Sequence, residues 1–138
     1  MAVRLEGILE TALYADDLDA AEVFYGDILG LLKVTSVPGR HVFFRCGTGM
    51  LLIFDARQTE KPVSGGSLPV PAHGAHGPGH VCFRMQARAL DDMVDLLKKA
   101  GVEVEADFFW PNGARSIYFR DPAGNSLECA EAALWNIE

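Results

Sequence analysis

The first apolar run, GILETALYA (residues 7–15), alternates with polar positions at period two and predicts a strand. The period then changes. In LDAAEVFYGDILG (18–30) and just beyond it, Ala20, Val23, Phe24, Ile28 and Leu31 recur at helical spacing. Asp16 or Asp17 can cap this helix and Gly30 can end it. Strands are predicted next over 32–37, 41–46 and 50–55, followed by a long Pro/Gly/Ser connection over 56–78 with little periodicity. The same order then returns. VCFRM (81–85) predicts a strand, and ALDDMVDLLKKAG (89–101) an amphipathic helix with Leu90, Met93, Val94 and Leu97 on one side and Gly101 at its stop. VEVEA, ARSIYFR and NSLECA predict three more strands, so each half reads strand, helix and three strands.

A direct overlay of the halves points to duplication. FFRCGTGMLLIFD (43–55) lies without gaps on YFRDPAGNSLECA (118–130), matching Phe44 with Phe119, Arg45 with Arg120, Gly49 with Gly124 and Leu52 with Leu127. ETALY lies on HVCFR in the same way. The overlay sets Glu10 opposite His80, and Ile53 opposite Glu128, across a pseudo-twofold axis. The predicted fold class is α+β, with two tandem βαβββ modules forming a cupped mixed sheet. Module 1 spans about 5–56, the connecting loop about 57–78, module 2 about 79–131 and a C-terminal tail 132–138, all within a single domain.

Composition narrows the partners. At 138 residues, with 49% hydrophobic and 22% charged, the chain has the makings of one ordered domain that needs no disulfide to fold. A net charge of −7 with scattered basic residues argues against nucleic acid and against an anionic membrane. Cys46, Cys82 and Cys129 each lie in an apolar run and read as free thiols of a reducing compartment. MAVRLEGILE lacks the apolar stretch of a signal peptide, and no window approaches the roughly 20 residues of a membrane span. A soluble cytoplasmic protein with a small-molecule substrate is the expectation.

Three of the four histidines stand in PAHGAHGPGH (71–80), as His73, His76 and His80. The spacing superficially suits zinc, but the glycines make an independent site there entropically unfavourable. His80 opens the following strand and shares its face with Cys82 and Arg84. His73 and His76 belong to the connection, as bystanders or as a lid over the cup. Glu128 lies between Leu127 and Cys129, where a carboxylate is costly to bury unless it is paired or metal-bound. DPAGN (121–125) is turn chemistry that positions Glu128. Tyr14, Phe44, His73, Arg84, Trp110, Arg115, Ser116 and Tyr118 are further candidates to line the cup and touch substrate.

ETALYADDLDAAEVFYGDILGL, GHVCFRM and YFRDPAGNSLECAE together resemble the vicinal oxygen chelate superfamily of glyoxalases, bleomycin-resistance proteins and extradiol dioxygenases. That resemblance implies paired βαβββ modules around a divalent metal held from the first and last strands of each. Carried over, the four positions are Glu10, Ile53, His80 and Glu128; Ile53 cannot ligate, leaving Glu10, His80 and Glu128 as the metal site. The ion implied is Mn²⁺, Fe²⁺, Ni²⁺, Co²⁺ or Zn²⁺, polarising a substrate carbonyl or enolate oxygen while Glu10 or Glu128 moves a proton. The activity implied is that of a lyase or isomerase, or a ring-cleaving dioxygenase, on a small oxygenated molecule. The alternative is a metal-free protein that sequesters a drug, as bleomycin-resistance proteins do. The resemblance also implies a homodimer.

Overall fold

The computed structural model describes residues 2–62 and 68–137. Its chain falls into two units, residues 1–75 and 76–138. In the first, β1 (Glu10–Tyr14) leads to α1 (Leu18–Glu22), which widens directly into a π-helical turn over Val23–Ile28. Three strands follow, β2 (Leu32–Val37), β3 (His41–Cys46) and β4 (Gly49–Phe54). Asp17 supplies the cap, accepting from the Ala20 amide at 3.0 Å. Gly30, at φ 75°, takes the left-handed conformation that ends the helix.

The sheet order is β1-β4-β3-β2, with β1 parallel to β4 and the other pairs antiparallel. Residues in register share a face. Leu13, Leu51, Ile53, Val42 and Phe44 form the helix-side face and are buried. Phe44 packs on Tyr25 at 5.8 Å between ring centroids, and Tyr25 meets Phe24 edge-on at 5.1 Å. That aromatic layer is the core of the unit.

The second unit repeats the plan. β5 (His80–Arg84) is followed by a 3₁₀ turn (Ala87–Ala89), α3 (Leu90–Lys99), β6 (Ala106–Phe109), β7 (Arg115–Arg120) and β8 (Ser126–Ala130). The order β5-β8-β7-β6 matches the first sheet, again with a parallel first pair. Ile117, Phe119, Leu127 and Cys129 on one face, with Leu90 and Leu97 of α3, are buried. On that side Arg115 clamps Asp107 through two hydrogen bonds of 2.8 Å and reaches Asp91 on α3 at 2.7 Å. The tail forms a 3₁₀ turn over Ala132–Trp135.

Two expectations need correction. VEVEA was expected to be a strand, but the sheet is entered only at Ala106 and continues through Phe109. The partner strand sets this limit: β7 offers Tyr118 to Arg115, which pair with Ala106 to Phe109. The connection expected over 56–78 also contains structure. Asp55 caps a short helix, α2 (Ala56–Thr59), accepting from the Arg57 amide at 3.0 Å. Residues 63–67 of that connection lie outside the described residues.

The gapless overlay also shifts by one. Arg45 pairs with Met50 across four intervening residues, whereas Arg120 pairs with Ser126 across five. The counterpart of Glu128 is therefore Leu52, which pairs with Phe43 as Glu128 pairs with Tyr118. Ile53 lies on the helix side and is wholly buried. Glu10 and His80 still correspond, since Ala12 pairs with Leu52 and Cys82 with Glu128.

Phe44→Ala is expected to lower unfolding free energy by about 3–5 kcal/mol in urea titrations, because it opens a cavity beside Tyr25. Asp107 is held below the ordinary carboxylate value, chiefly by its hydrogen bonds to Arg115. Its folded value lies below its unfolded one, so its contribution is complete above the unfolded value of about 3.9 and is lost as pH falls through the lowered one. Arg115→Met should erase that acid-side loss from the melting-temperature profile; an unchanged profile would assign it elsewhere.

Candidate functional site

The turn after β7 builds the site from its backbone outward. Asp121 Oδ1 accepts from the amides of Ala123 and Asn125, both at 2.9 Å, while Gly124 adopts φ 87°. Asn125 then reaches back to β5: its side-chain oxygen accepts from the Gly79 amide at 2.8 Å. Gly79 in turn accepts from the Ser126 amide at 2.9 Å. These contacts fix β5 against β8 at the point where the strands begin to pair, placing His80 beside Ser126 and Cys82 beside Glu128.

His80, Cys82, Arg84, Tyr118, Ser116, Phe108 and Glu128 therefore share the face away from α3. Glu128 is only 5% exposed there. Its Oε2 accepts from the Ser116 hydroxyl at 2.5 Å, and Ser116 accepts from the Trp110 indole N–H at 2.7 Å. Its Oε1 faces His80 Nε2 at 3.4 Å. His80 Nδ1 lies 2.8 Å from the Ser126 carbonyl oxygen, which only accepts, so Nδ1 carries the proton. In the neutral ring Nε2 is then an unshared lone pair aimed at a carboxylate oxygen.

Two lone pairs in that relation repel unless a positive charge lies between them, either a proton on Nε2 or a cation. Their 3.4 Å separation exceeds the ordinary N–H···O range of about 2.7–3.2 Å. It suits two ligand atoms each about 2.1 Å from a shared ion. The donor set, imidazole and carboxylate, fits Mn²⁺, Fe²⁺, Co²⁺, Ni²⁺ or Zn²⁺. Among the described residues no three His, Cys, Asp or Glu side chains form a ready-made metal cluster.

The neighbours of Glu128 are neutral donors. Burial, then the charge of Glu128 and a hydrogen bond to it, raise the Tyr118 hydroxyl above its ordinary value. The Cys82 thiol is pushed up to about 12, first by burial of the sulfur and then by Glu128, although the residue as a whole is exposed. It is a thiol at neutral pH, not a nucleophilic thiolate. A cavity of about 400 Å³ opens beside Glu128, walled by Trp110, Pro111, Tyr118, Leu134 and Trp135. The turn of Trp110 to Ala114 holds this wall, with the Trp110 amide donating to the Ala114 carbonyl at 2.7 Å.

Of the predicted site residues, His80, Glu128, Ser116, Tyr118 and Trp110 come together in this unit. Arg84 shares their face farther along β5, in register with Ala130. Arg115 was expected to line the cup, but it faces α3 and is occupied by Asp107 and Asp91. Phe44, expected in the same role, is core against Tyr25. Both lie one residue out of phase with the site-side positions. In the first unit, Glu10 and Tyr14 lie on the face away from the buried Leu13. His73 is docked there: its Nδ1 is 2.7 Å from the Tyr14 hydroxyl, its ring meets Phe54 edge-on at 4.7 Å, and its amide donates to the Thr59 carbonyl at 2.9 Å. Leu134 and Trp135 were not anticipated as pocket walls; they lie in the apolar run AALW (132–135) of the tail.

The sequence pattern of the Glyoxalase/Bleomycin resistance protein/Dioxygenase superfamily matches residues 7–129. A solved structure of lactoylglutathione lyase from Agrobacterium tumefaciens is 46% identical with a TM-score of 0.92, over 96% of this chain and 98% of that one. A glyoxalase/bleomycin resistance protein/dioxygenase from Nocardioides is 25% identical with a TM-score of 0.72, over 94% and 85% of the two chains. One from Alicyclobacillus acidocaldarius, at 20% identity and a TM-score of 0.63 over 91% of each chain, is a likeness in fold.

Glu128→Gln keeps an acceptor for Ser116 and removes a charge from a nearly buried position. It is expected to melt no lower than the parent by differential scanning calorimetry. A clear drop would mean that the His80 pair holds the unit together.

Proposed function

The chain belongs to the glyoxalase/bleomycin resistance protein/dioxygenase superfamily, and from that premise we propose that it is a divalent-metal-dependent lyase or isomerase of glyoxalase type acting on a small oxygenated substrate. The observation that carries this reading is the lone pair of His80 Nε2 set against the nearly buried Glu128 carboxylate. The 46% identity to a lactoylglutathione lyase supports lyase chemistry. A drug-sequestering protein has no need of such a pair.

His80 and Glu128 would hold the metal. When bound, the ion polarises a substrate carbonyl or enolate oxygen and stabilises the charge that develops there. The chain's own groups supply the rest. The Ser126 carbonyl keeps the proton on His80 Nδ1 and Nε2 free to ligate. Trp110, Tyr118, Leu134 and Trp135 wall one side of Glu128 with largely apolar surface, which strengthens electrostatic interactions there. Tyr118, kept protonated, can donate to a substrate oxygen. Glu128, with its carboxylate displaced from the metal, would take the proton from the carbon next to the carbonyl.

Association as a homodimer and residence in a reducing cytoplasm complete the proposal. The exposed Phe109, Trp135 and Ile137 support the first, and three unbridged cysteines the second. Among the described residues no helix is long and apolar enough to cross a membrane.

Metal analysis of the isolated protein should find about one divalent ion per chain. His80→Ala and Glu128→Ala should weaken Mn²⁺ binding by about 100-fold or more in calorimetric titrations, whereas His76→Ala should leave it unchanged. Parent-like binding by the first two variants would sink the assignment. A parent that carries no metal yet binds a cationic glycopeptide tightly would favour drug sequestration.

A further inference from the structure

We propose that Ser116 is a positioning residue that orients the Glu128 carboxylate, with Trp110 fixing the direction in which Ser116 donates. The proposal rests on the reading of Glu128 as a metal-holding group. Ser116 is wholly buried, and its hydroxyl has one proton to give. The Trp110 indole N–H can only donate, and it points at Ser116 Oγ from 2.7 Å. The direction of the chain is therefore forced: Trp110 donates to Ser116, and Ser116 donates to Glu128 Oε2 at 2.5 Å. A carboxylate pinned through Oε2 presents Oε1, and that is the oxygen facing His80 Nε2 at 3.4 Å.

The first unit shows what happens without this arrangement. By register, His41 stands where Ser116 stands and Leu52 where Glu128 stands. His41 there stacks on Phe43 at 4.0 Å, and its Nδ1 accepts from Arg40 at 2.6 Å. The carboxylate and the hydroxyl that orients it occur together in one unit and are both missing from the other. Trp110 has a second role, since its ring also walls the cavity beside Glu128. A ligand seated against that wall touches the residue that sets the direction of the Ser116 proton.

The test begins with metal-free protein, so it does not depend on metal chemistry. Trp110 and Trp135 are the chain's two tryptophans, and Trp135→Phe assigns the indole N–H resonance of Trp110. Glu128→Gln should shift that resonance, and the shift should disappear when Ser116→Ala is also present. A resonance that ignores Glu128→Gln, or that moves equally without the hydroxyl, overturns the proposal.

The second arm uses Mn²⁺ alone as probe. Ser116→Ala should weaken its binding by about tenfold, the lower end for loss of a group that supports a metal ligand. Trp110→Phe keeps an aromatic ring, removes the N–H, and should weaken binding in the same direction by less. The double variant should bind no worse than Ser116→Ala, because Trp110 acts through Ser116. Independent losses that multiply, or parent-like affinity in Ser116→Ala, overturn the proposal. Should Ser116→Ala fail to fold, parent-like affinity in Trp110→Phe does so instead. A parent that binds no Mn²⁺ would overturn the metal reading, while the resonance still decides the role of Ser116.

Discussion

A carboxylate taken almost completely out of water is the constraint around which the second unit is arranged. Burial of an unpaired charge is far more expensive than a typical unfolding free energy allows, so Glu128 is tolerable only where donors meet it. Each group around it has a backbone reason to be there. Ser116 and Tyr118 come from the strand paired with β8, two residues apart and hence on one face. His80 and Cys82 come from the parallel partner on the other side. Flanking β8 by β5 and β7 surrounds its central residue with four polar side chains that are distant in sequence. The same position on an edge strand would have only one flank to draw on.

The duplication therefore preserved one face and diversified the other. On the helix side the units agree: Phe44 answers Phe119, Leu51 answers Leu127, and both pairs are buried. On the opposite side the first unit gathers Tyr14, His41, Phe43, Phe54 and His73 in aromatic contact. His41 is held below its ordinary value by burial and by Arg40, which favours the neutral ring that stacking prefers. The second unit places Ser116 and Tyr118 where His41 and Phe43 stand, and Glu128 where Leu52 stands. A scaffold whose stability resides on one face leaves the other free to differ, and the difference here is between an aromatic cluster and a set of polar side chains around a carboxylate.

How much of this was legible in the sequence depends on which physical rule was needed. Helical spacing and turn chemistry gave the element order, because LDAAEVFY and DPAGN obey local rules. Glu128 was legible for a related reason, as a charge inside LEC is anomalous wherever that strand lies. Register was less accessible. One additional residue in the Asp121–Asn125 turn moves the counterpart of Glu128 from Ile53 to Leu52, and similarity over FFR against YFR conceals the shift. Phase was misjudged for the same reason: Phe44 and Arg115 look like cup residues until the pairing strand shows which way they point. His73 was illegible in principle from local pattern, since its place is set by Tyr14, 59 residues earlier.

The parallel pairing of first and last strands also answers why the histidine tract divides as it does. His73 and His80 are seven residues apart, yet each is fixed by a different sheet. His73 is held by a side-chain contact to β1 of the first unit and by the carbonyl of Thr59. His80 is held by strand pairing, and its Nδ1 proton goes to a main-chain carbonyl that β8 presents whatever side chain stands there. A tautomer set by backbone is insensitive to substitution around it, whereas one set by a neighbouring side chain is not. Nε2 of His80 is thus the more dependable ligand atom of the two rings. The orientation of Glu128 has no such backbone guarantee and rests on side-chain donors, Ser116 and Tyr118 among them. The pair proposed to hold the metal consequently has one member fixed by the fold and one fixed by side chains, and variation among related chains should reach the second far more readily than the first.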